Sequence, residues 1–407
     1  MRIVWRRVWP GRVPPAGHRR PAGASALALS TALLLAGWTA GPARADDEVP
    51  AWSEAARQRL LLGPADQAAQ ARGLRQALLD EAEALLRTGE TAEARERLER
   101  AALMLHAADT ESALVRADLQ AGEYRRALAF AAHAAGAHQR EWPAGMAWYA
   151  WLLRAGGQAR AAQQVLADAL ARTPGNPALH ETQLRLAEPW PRPGPALDAW
   201  LPRPYALGEA VPDDARCVGT AMLLPDGRGA VAAAAHLRGA DRVWLRDGLG
   251  RTVAAEADGA PDDAGVQRLR LRTALPATGL ETAPRPPYAG SPAYVLEQAP
   301  GDGRPAWPLL QQGFFGALPR SGDTAAPRAL SIELPAGPRG SPVFDAEGRW
   351  AGLAVTGADG TDRLIPATRL DGSMKNGAAG VSQKPRIAVD ELYEAALAAT
   401  LQVLRRP

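Results

Sequence analysis

The sequence predicts a multidomain chain of mixed α and β class: N-terminal α-helical hairpin repeats, then a run of barrel-forming strands, then a C-terminal helix. Three observations carry this. Residues 50–185 are rich in Ala, Leu, Arg and Glu with almost no β-branched runs, a composition that favours helix. The same stretch repeats itself at a period near 34 residues. Residues 205–372 change to short apolar runs separated by Gly, Pro and Asp, the pattern of many short strands.

The first element is a leader. Residues 1–45 hold seven Arg (Arg2, Arg6, Arg7, Arg12, Arg19, Arg20, Arg44) and no acid. Ser25 to Trp38 is an apolar run of signal-peptide length, short of the roughly 20 residues a membrane span needs. Ala43-Arg44-Ala45 supplies small residues at the cleavage spacing. A signal peptide over 1–45 implies a periplasmic or secreted protein with no stable membrane span after cleavage. Its removal takes seven positive charges away, turning the formal +3 into −4. A nucleic-acid partner is therefore not expected, although the full chain is basic. The hydrophobic fraction of 47% excludes wholesale disorder. A single Cys, Cys217, excludes an intramolecular disulfide and any Cys-ligated zinc.

The helical stretch repeats around glycine. Gly89, Gly122 and Gly156 stand 33 and 34 residues apart. Ala94, Ala127 and Ala161 follow at the same offset, and Leu98, Ala131 and Val165 at the next apolar one. A Gly ends one helix and turns the chain, and a small residue one turn into the next helix lets the pair approach closely. This period and placement resemble tetratricopeptide repeats. Thr173-Pro174-Gly175-Asn176-Pro177 sits where that family closes a repeat, whereas Asp118 stands where it has an apolar residue. The resemblance implies a surface for a protein or peptide partner, formed by the helical repeats over 50–185. Trp142, Trp148, Tyr149 and Trp151 recur at three- and four-residue spacing and read as core.

A Pro-rich linker is expected over 186–204, where Glu188 to Pro195 holds four prolines in eight residues. Beyond it, strands are expected at 218–224, 230–236, 242–247, 293–298, 313–318, 329–334, 341–345 and 349–355. Asp226-Gly227 and Asp247-Gly248 are hairpin-turn pairs.

The order of six of these pieces resembles the trypsin-fold serine proteases, in particular the HtrA-like branch. They are Gly219 to Gly227, Ala234-Ala235-His236, Asp263 to Leu269, Gln312 to Gly316, Gly340 to Gly348, and Leu364-Ile365-Pro366. The resemblance implies a trypsin-like double β-barrel over 205–372. It implies His236 as general base, Asp263 (or its neighbour Asp262) as the carboxylate that orients it, and Gly337 in the oxyanion loop. The nucleophile departs from the family. In Gly337-Pro338-Arg339-Gly340-Ser341-Pro342 the alignment puts Arg339 at the nucleophile position. A guanidinium stays protonated and cannot attack a carbonyl. Ser341 stands two residues on, a displacement of roughly 3.3 Å per extended residue, where catalysis suffers from errors of about 1 Å.

The sequence thus reads as an exported protein- or peptide-binding pseudoprotease. The alternative is an active serine endopeptidase using His236, Asp263 and Ser341. No cofactor and no metal set is expected: His133 and His138 are five residues apart, on different helix faces, with no acid cluster beside them. Residues 387–406 read as one amphipathic helix. Val389, Leu392, Ala396, Leu397, Leu401 and Leu404 form its apolar face, and it is expected to dock on the barrel or bridge it to the repeats.

Overall fold

The computed structural model describes residues 64–138, 142, 144–188, 190–191, 203–240, 242–317, 326–332, 334, 340–356, 360–370 and 384–407. The leader expected over 1–45 and most of the linker expected over 186–204 lie outside these residues. Residues 64–407 pack as one unit, with no helix among the described residues long and apolar enough to cross a membrane.

Helices come first: α1 (Pro64–Thr88), α2 (Thr91–Met104), α3 (Ala108–Gln120), α4 (Tyr124–Ala137), α5 (Gly145–Ala155), α6 (Ala159–Arg172) and α7 (Pro177–Leu186). Each packs on its predecessor, and α3 reaches back to α1 and α7 to α5. Three of the turns share one hydrogen-bond scheme. Gly89, Gly122 and Gly157 have φ of 89°, 82° and 82°, the left-handed conformation that glycine adopts without strain. Their amides bond back to Leu86, Leu119 and Arg154, and the next amides (Glu90, Glu123, Gln158) to Leu85, Asp118 and Leu153. This double bond closes the orphan carbonyls of each helix end.

The third turn corrects the sequence register by one residue. Gly157, not Gly156, takes the left-handed position. The buried small residues are therefore Ala94, Ala127 and Ala162, followed by Leu98, Ala131 and Leu166. Ala161 is exposed and Val165 half-buried. The Gly156-Gly157 doublet hides the shift, because Gly156 has its own reason to be small: a Cβ there would overlap the ring of Tyr124. Asn176 caps α7 by accepting from the amides of Ala178 (3.0 Å) and Leu179 (3.3 Å), with Pro177 as first helical residue. Trp142, Trp148 and Trp151 are buried, as their spacing predicts.

Two antiparallel barrels follow. The first uses β2 (Arg216–Leu223), β3 (Gly229–Ala233), β4 (Val243–Arg246), β5 (Arg251–Ala257), β6 (Val266–Leu271) and the last strand of the chain, β14 (Thr400–Arg405). The order is β5-β4-β14-β2-β3-β6, and β6 pairs back onto β5 to close the ring. Two-residue strands β1 (Leu207–Gly208) and β8 (Gly301–Asp302) add to its β5 and β2 edges. The second barrel is closed in the order β10-β13-β12-β11-β7-β9. Its strands are β7 (Pro292–Glu297), β9 (Leu309–Phe315), β10 (Arg328–Ser331), β11 (Ser341–Phe344), β12 (Trp350–Thr356) and β13 (Asp362–Pro366). This is a trypsin-like double barrel, and all eight expected strand regions overlap it. Short helix α8 (Ala367–Leu370) follows β13.

The C-terminal helix expected over 387–406 is corrected. Only α9 (Val389–Ala396) is helical, and the chain then turns into β14. From Thr400 on, the residues fit a ladder. Leu401 and Val403 enter the barrel core, while Leu404 joins Cys217 and Trp244 in a second cluster. The gap between β2 and β4 supplies hydrogen-bond partners on both edges. A helix continuing over these residues would leave that gap open.

Helix α9 does bridge the two parts, as expected. Tyr393 packs edge-on against Tyr124 of α4 at 4.6 Å, and Glu394 accepts from Arg125 at 3.0 Å. Tyr393 also donates to Pro308 O at 2.7 Å, and Gln312 donates to Gly157 O at 2.8 Å. One hydrophobic cluster runs from Val115 through the tryptophans to Leu310, Phe344 and Leu392. The helical array and the barrels therefore share a core.

Candidate functional site

His236 lies in a 3-10 turn, Ala234–Leu237, directly after β3. That turn is tied to the loop before β6 by Ala234 N–H donating to Gly265 O at 2.8 Å. The imidazole is 2% exposed and rests on two glycines. A Cβ added at Gly219 of β2 would overlap the ring, and one at Gly340, just before β11, would stand 3.0 Å from its Cε1. Gly219 belongs to the first barrel and Gly340 to the second, so His236 sits in the seam between them. The segment that resembles the nucleophile loop thus passes beside His236.

The other two residues of the expected triad are engaged by partners of their own. Asp263 has an 85% exposed side chain, ion-paired to Arg369 of α8. Asp262 accepts from the amides of Ala264 (3.0 Å) and Val266 (2.8 Å), which closes its own turn, and it lies 3.5 Å from Arg369. Ser341 is fully buried, and its hydroxyl donates to Glu297 Oε2. Gly337, Pro338 and Arg339 lie outside the described residues.

Glu297 is the residue that sequence reasoning missed. It ends β7, is 3% exposed, and also accepts from Thr220 Oγ1 of β2 at 2.8 Å. Thr220 Oγ1 in turn accepts from Gln298 N–H at 2.8 Å. This knot joins strands of both barrels right beside His236. A glutamate closing the apolar run Ala293 to Leu296 was the available signal, since a charge at a buried strand end needs hydrogen-bond partners. Ser341 is thus held within this knot, buried and hydrogen-bonded to a carboxylate.

Cys217 is no second nucleophile. It is buried, and burial pushes its thiol up to about 12, so the reactive thiolate is absent at neutral pH. A cavity of about 300 Å³ lies on the outside of the second barrel, lined by Tyr288, Asp345, Arg349 and Lys384 among others, and by neither His236 nor Ser341.

Fold and seam together define a trypsin-like protease fold carried behind a helical array. No protein-family model and no curated protein matches the sequence. Among solved structures the chain is similar to Deg5, with 14% identity over 39% of this chain and 85% of that one, TM-score 0.30. It is similar to an inactive form of Rv3671c from M. tuberculosis H37Rv, with 16% identity over 40% and 86%, TM-score 0.30. The HtrA-type protease AlgW with a decapeptide gives 19% identity over 37% of this chain and 48% of AlgW, TM-score 0.31. The fold assignment rests on the two barrels themselves, not on these likenesses.

Proposed function

We propose that this chain is an exported protein- or peptide-binding protein, built on a trypsin-like protease fold that no longer cuts peptides. The observation that carries the reading is Ser341, fully buried with its hydroxyl donated to Glu297. Two others support it: Asp263 is paired with Arg369 at the surface, and the sequence has Arg at position 339. The tetratricopeptide-like repeats are the surface that would hold the partner, and the leader over 1–45 would direct the chain to the periplasm or outside the cell. One observation favours the alternative, an active endopeptidase using His236, Asp263 and Ser341: the imidazole abuts Gly340.

The two readings part in a single experiment on the purified chain and its Ser341→Ala variant, each treated with a fluorophosphonate probe and melted. A structural Ser341 gives no labelling of the parent chain. Its loss leaves the buried Glu297 short of a donor and lowers stability by about 1–3 kcal/mol. Stoichiometric labelling of the parent that disappears in Ser341→Ala overturns the pseudoprotease reading.

A further inference from the structure

Three of the six histidines in the chain meet at one place in the helical array. His106 lies in the connection from α2 to α3, His133 on the outer half of α4, and His138 at the C-cap of α4. Between them stands Glu111, in the first turn of α3 and 4% exposed.

Sequence spacing argued against pairing His133 with His138. The structure adds to that pair a third imidazole, His106, and an acid. His138 has φ −110° and ψ 28°, outside the helical lattice of α4. The acid comes from the neighbouring helix α3, a relation the spacing does not contain.

His106, Glu111 and His138 offer one ligand atom each, all within 4.8 Å of one another, and His133 stands beside them. His106 Nε2 and His133 Nε2 are 3.2 Å apart. His133 Nε2 is 3.3 Å from Glu111 Oε1, and His138 Nε2 is 3.4 Å from Glu111 Oε2. A tetrahedral zinc with nitrogen and oxygen ligands at about 2.0–2.2 Å has ligand–ligand edges of about 3.3–3.5 Å. The contact of His106 Nε2 with Glu111 Oε1 is 2.6 Å, a hydrogen-bond distance. It would open by less than about 1 Å to reach the same edge, and the His106 side chain is 57% exposed and has room to move.

The charge balance points the same way. A carboxylate this buried needs a positive partner. Among the described residues every ion-pair contact of Glu111 is to an imidazole, and Oε2 accepts no hydrogen bond. A divalent ion held among these side chains would supply that positive charge.

We propose that His106, Glu111 and His138 form a binding site for a divalent transition-metal ion, that the exposed His133 side chain swings in as its fourth ligand, and that zinc is the ion best matched to three imidazoles and one carboxylate. Four protein ligands leave no open position, so the site is structural. It ties the α2–α3 connection, the start of α3 and the end of α4 into one clamp within the proposed partner-binding array. The side chains of His106 and His133 are 57% and 58% exposed, which gives the ion a path in. The proposal stands independently of whether the barrels cut peptides.

The test uses the tag-free full chain, stripped with chelator and titrated with zinc by calorimetry. One equivalent is expected to bind and to raise the melting temperature, and cobalt(II) is expected to give the visible bands of a tetrahedral centre. The double variant His106→Ala/His133→Ala changes two exposed side chains and should still fold. It is expected to lose at least about 100-fold in zinc affinity, since even changes to groups behind the ligands cost 10–100-fold. Glu111→Gln, nearly the same shape without the charge, is expected to weaken binding as well. No stoichiometric zinc binding, with a melting temperature indifferent to zinc, overturns the proposal and leaves a metal-free histidine–glutamate network. Zinc binding that persists unchanged in the double variant also overturns it, because the ion then sits elsewhere.

Discussion

Truncating the chain after Ala399 removes the strand that fills the first barrel between β2 and β4. Leu401, Val403 and Leu404 are each fully buried there. Withdrawing three such side chains forfeits roughly 1.5–3 kcal/mol apiece, or about 5–9 kcal/mol together. The ladder is lost as well. β14 pairs with β2 from Thr400 opposite Met222 to Arg405 opposite Arg216, and with β4 from Gln402 to Leu404. A typical domain has only about 5–15 kcal/mol in total, so the truncated first barrel is not expected to fold. Leu401→Ala, the milder form of the same perturbation, is expected to cost about 2–5 kcal/mol. Urea unfolding followed by tryptophan fluorescence reads both, because Trp244 of β4 is buried against Leu404. Deleting only Arg406 and Pro407 is the control. Arg406 pairs with Asp214 at 3.4 Å on an exposed surface, a contact worth about 0–1 kcal/mol. If the chain cut after Ala399 unfolds at the same urea midpoint as the full chain, β14 is an appendage and the assignment of the barrel is wrong.

Asp118→Asn tests the one acid that breaks the repeat pattern. Its carboxylate is fully buried between Arg126 (3.3 Å) and Arg95 (3.5 Å), and burial outweighs both guanidiniums, raising its pKa from 3.8 to about 6. The folded state therefore holds this proton more tightly than the unfolded chain. The resulting stabilisation is complete below pH 3.8 and is lost as pH rises through about 6. Relative to the parent, Asp118→Asn should gain up to about 3 kcal/mol between pH 3.5 and 7.5; urea midpoints of the two proteins that run parallel across this range would refute it. Gly219→Ala is expected to destabilise the parent by about 1–3 kcal/mol through overlap with the His236 ring. The cost should fall to near zero in a His236→Ala background, and an equal cost in both backgrounds would place the ring elsewhere.

Much of the architecture was legible in the chain because it is locally encoded. Helix composition, the glycine turns and the alternation of short apolar runs each act over a few residues, and the order of six short pieces pointed to the double barrel. The errors fall where a local pattern admits two answers. The doublet Gly156-Gly157 offers two glycines for one left-handed turn, and the choice follows from the close approach of Tyr124. Leu397, Leu401 and Leu404 suit a helix face as well as a strand. What makes Leu401 and Leu404 strand residues is the open place between β2 and β4, more than 150 residues upstream. The candidate site divides in the same way. Position in the series singled out His236, but the engagement of Ser341 by Glu297, of Asp263 by Arg369, and of three histidines by Glu111 joins residues far apart or on different elements. Sequence by itself determined most of the helices, strands and turns, the last strand excepted, since backbone preference and hydrophobic period are properties of neighbours along the chain. Tertiary structure alone decided what each buried polar group bonds to, because a carboxylate removed from water takes whatever donor the packed fold brings within about 3 Å.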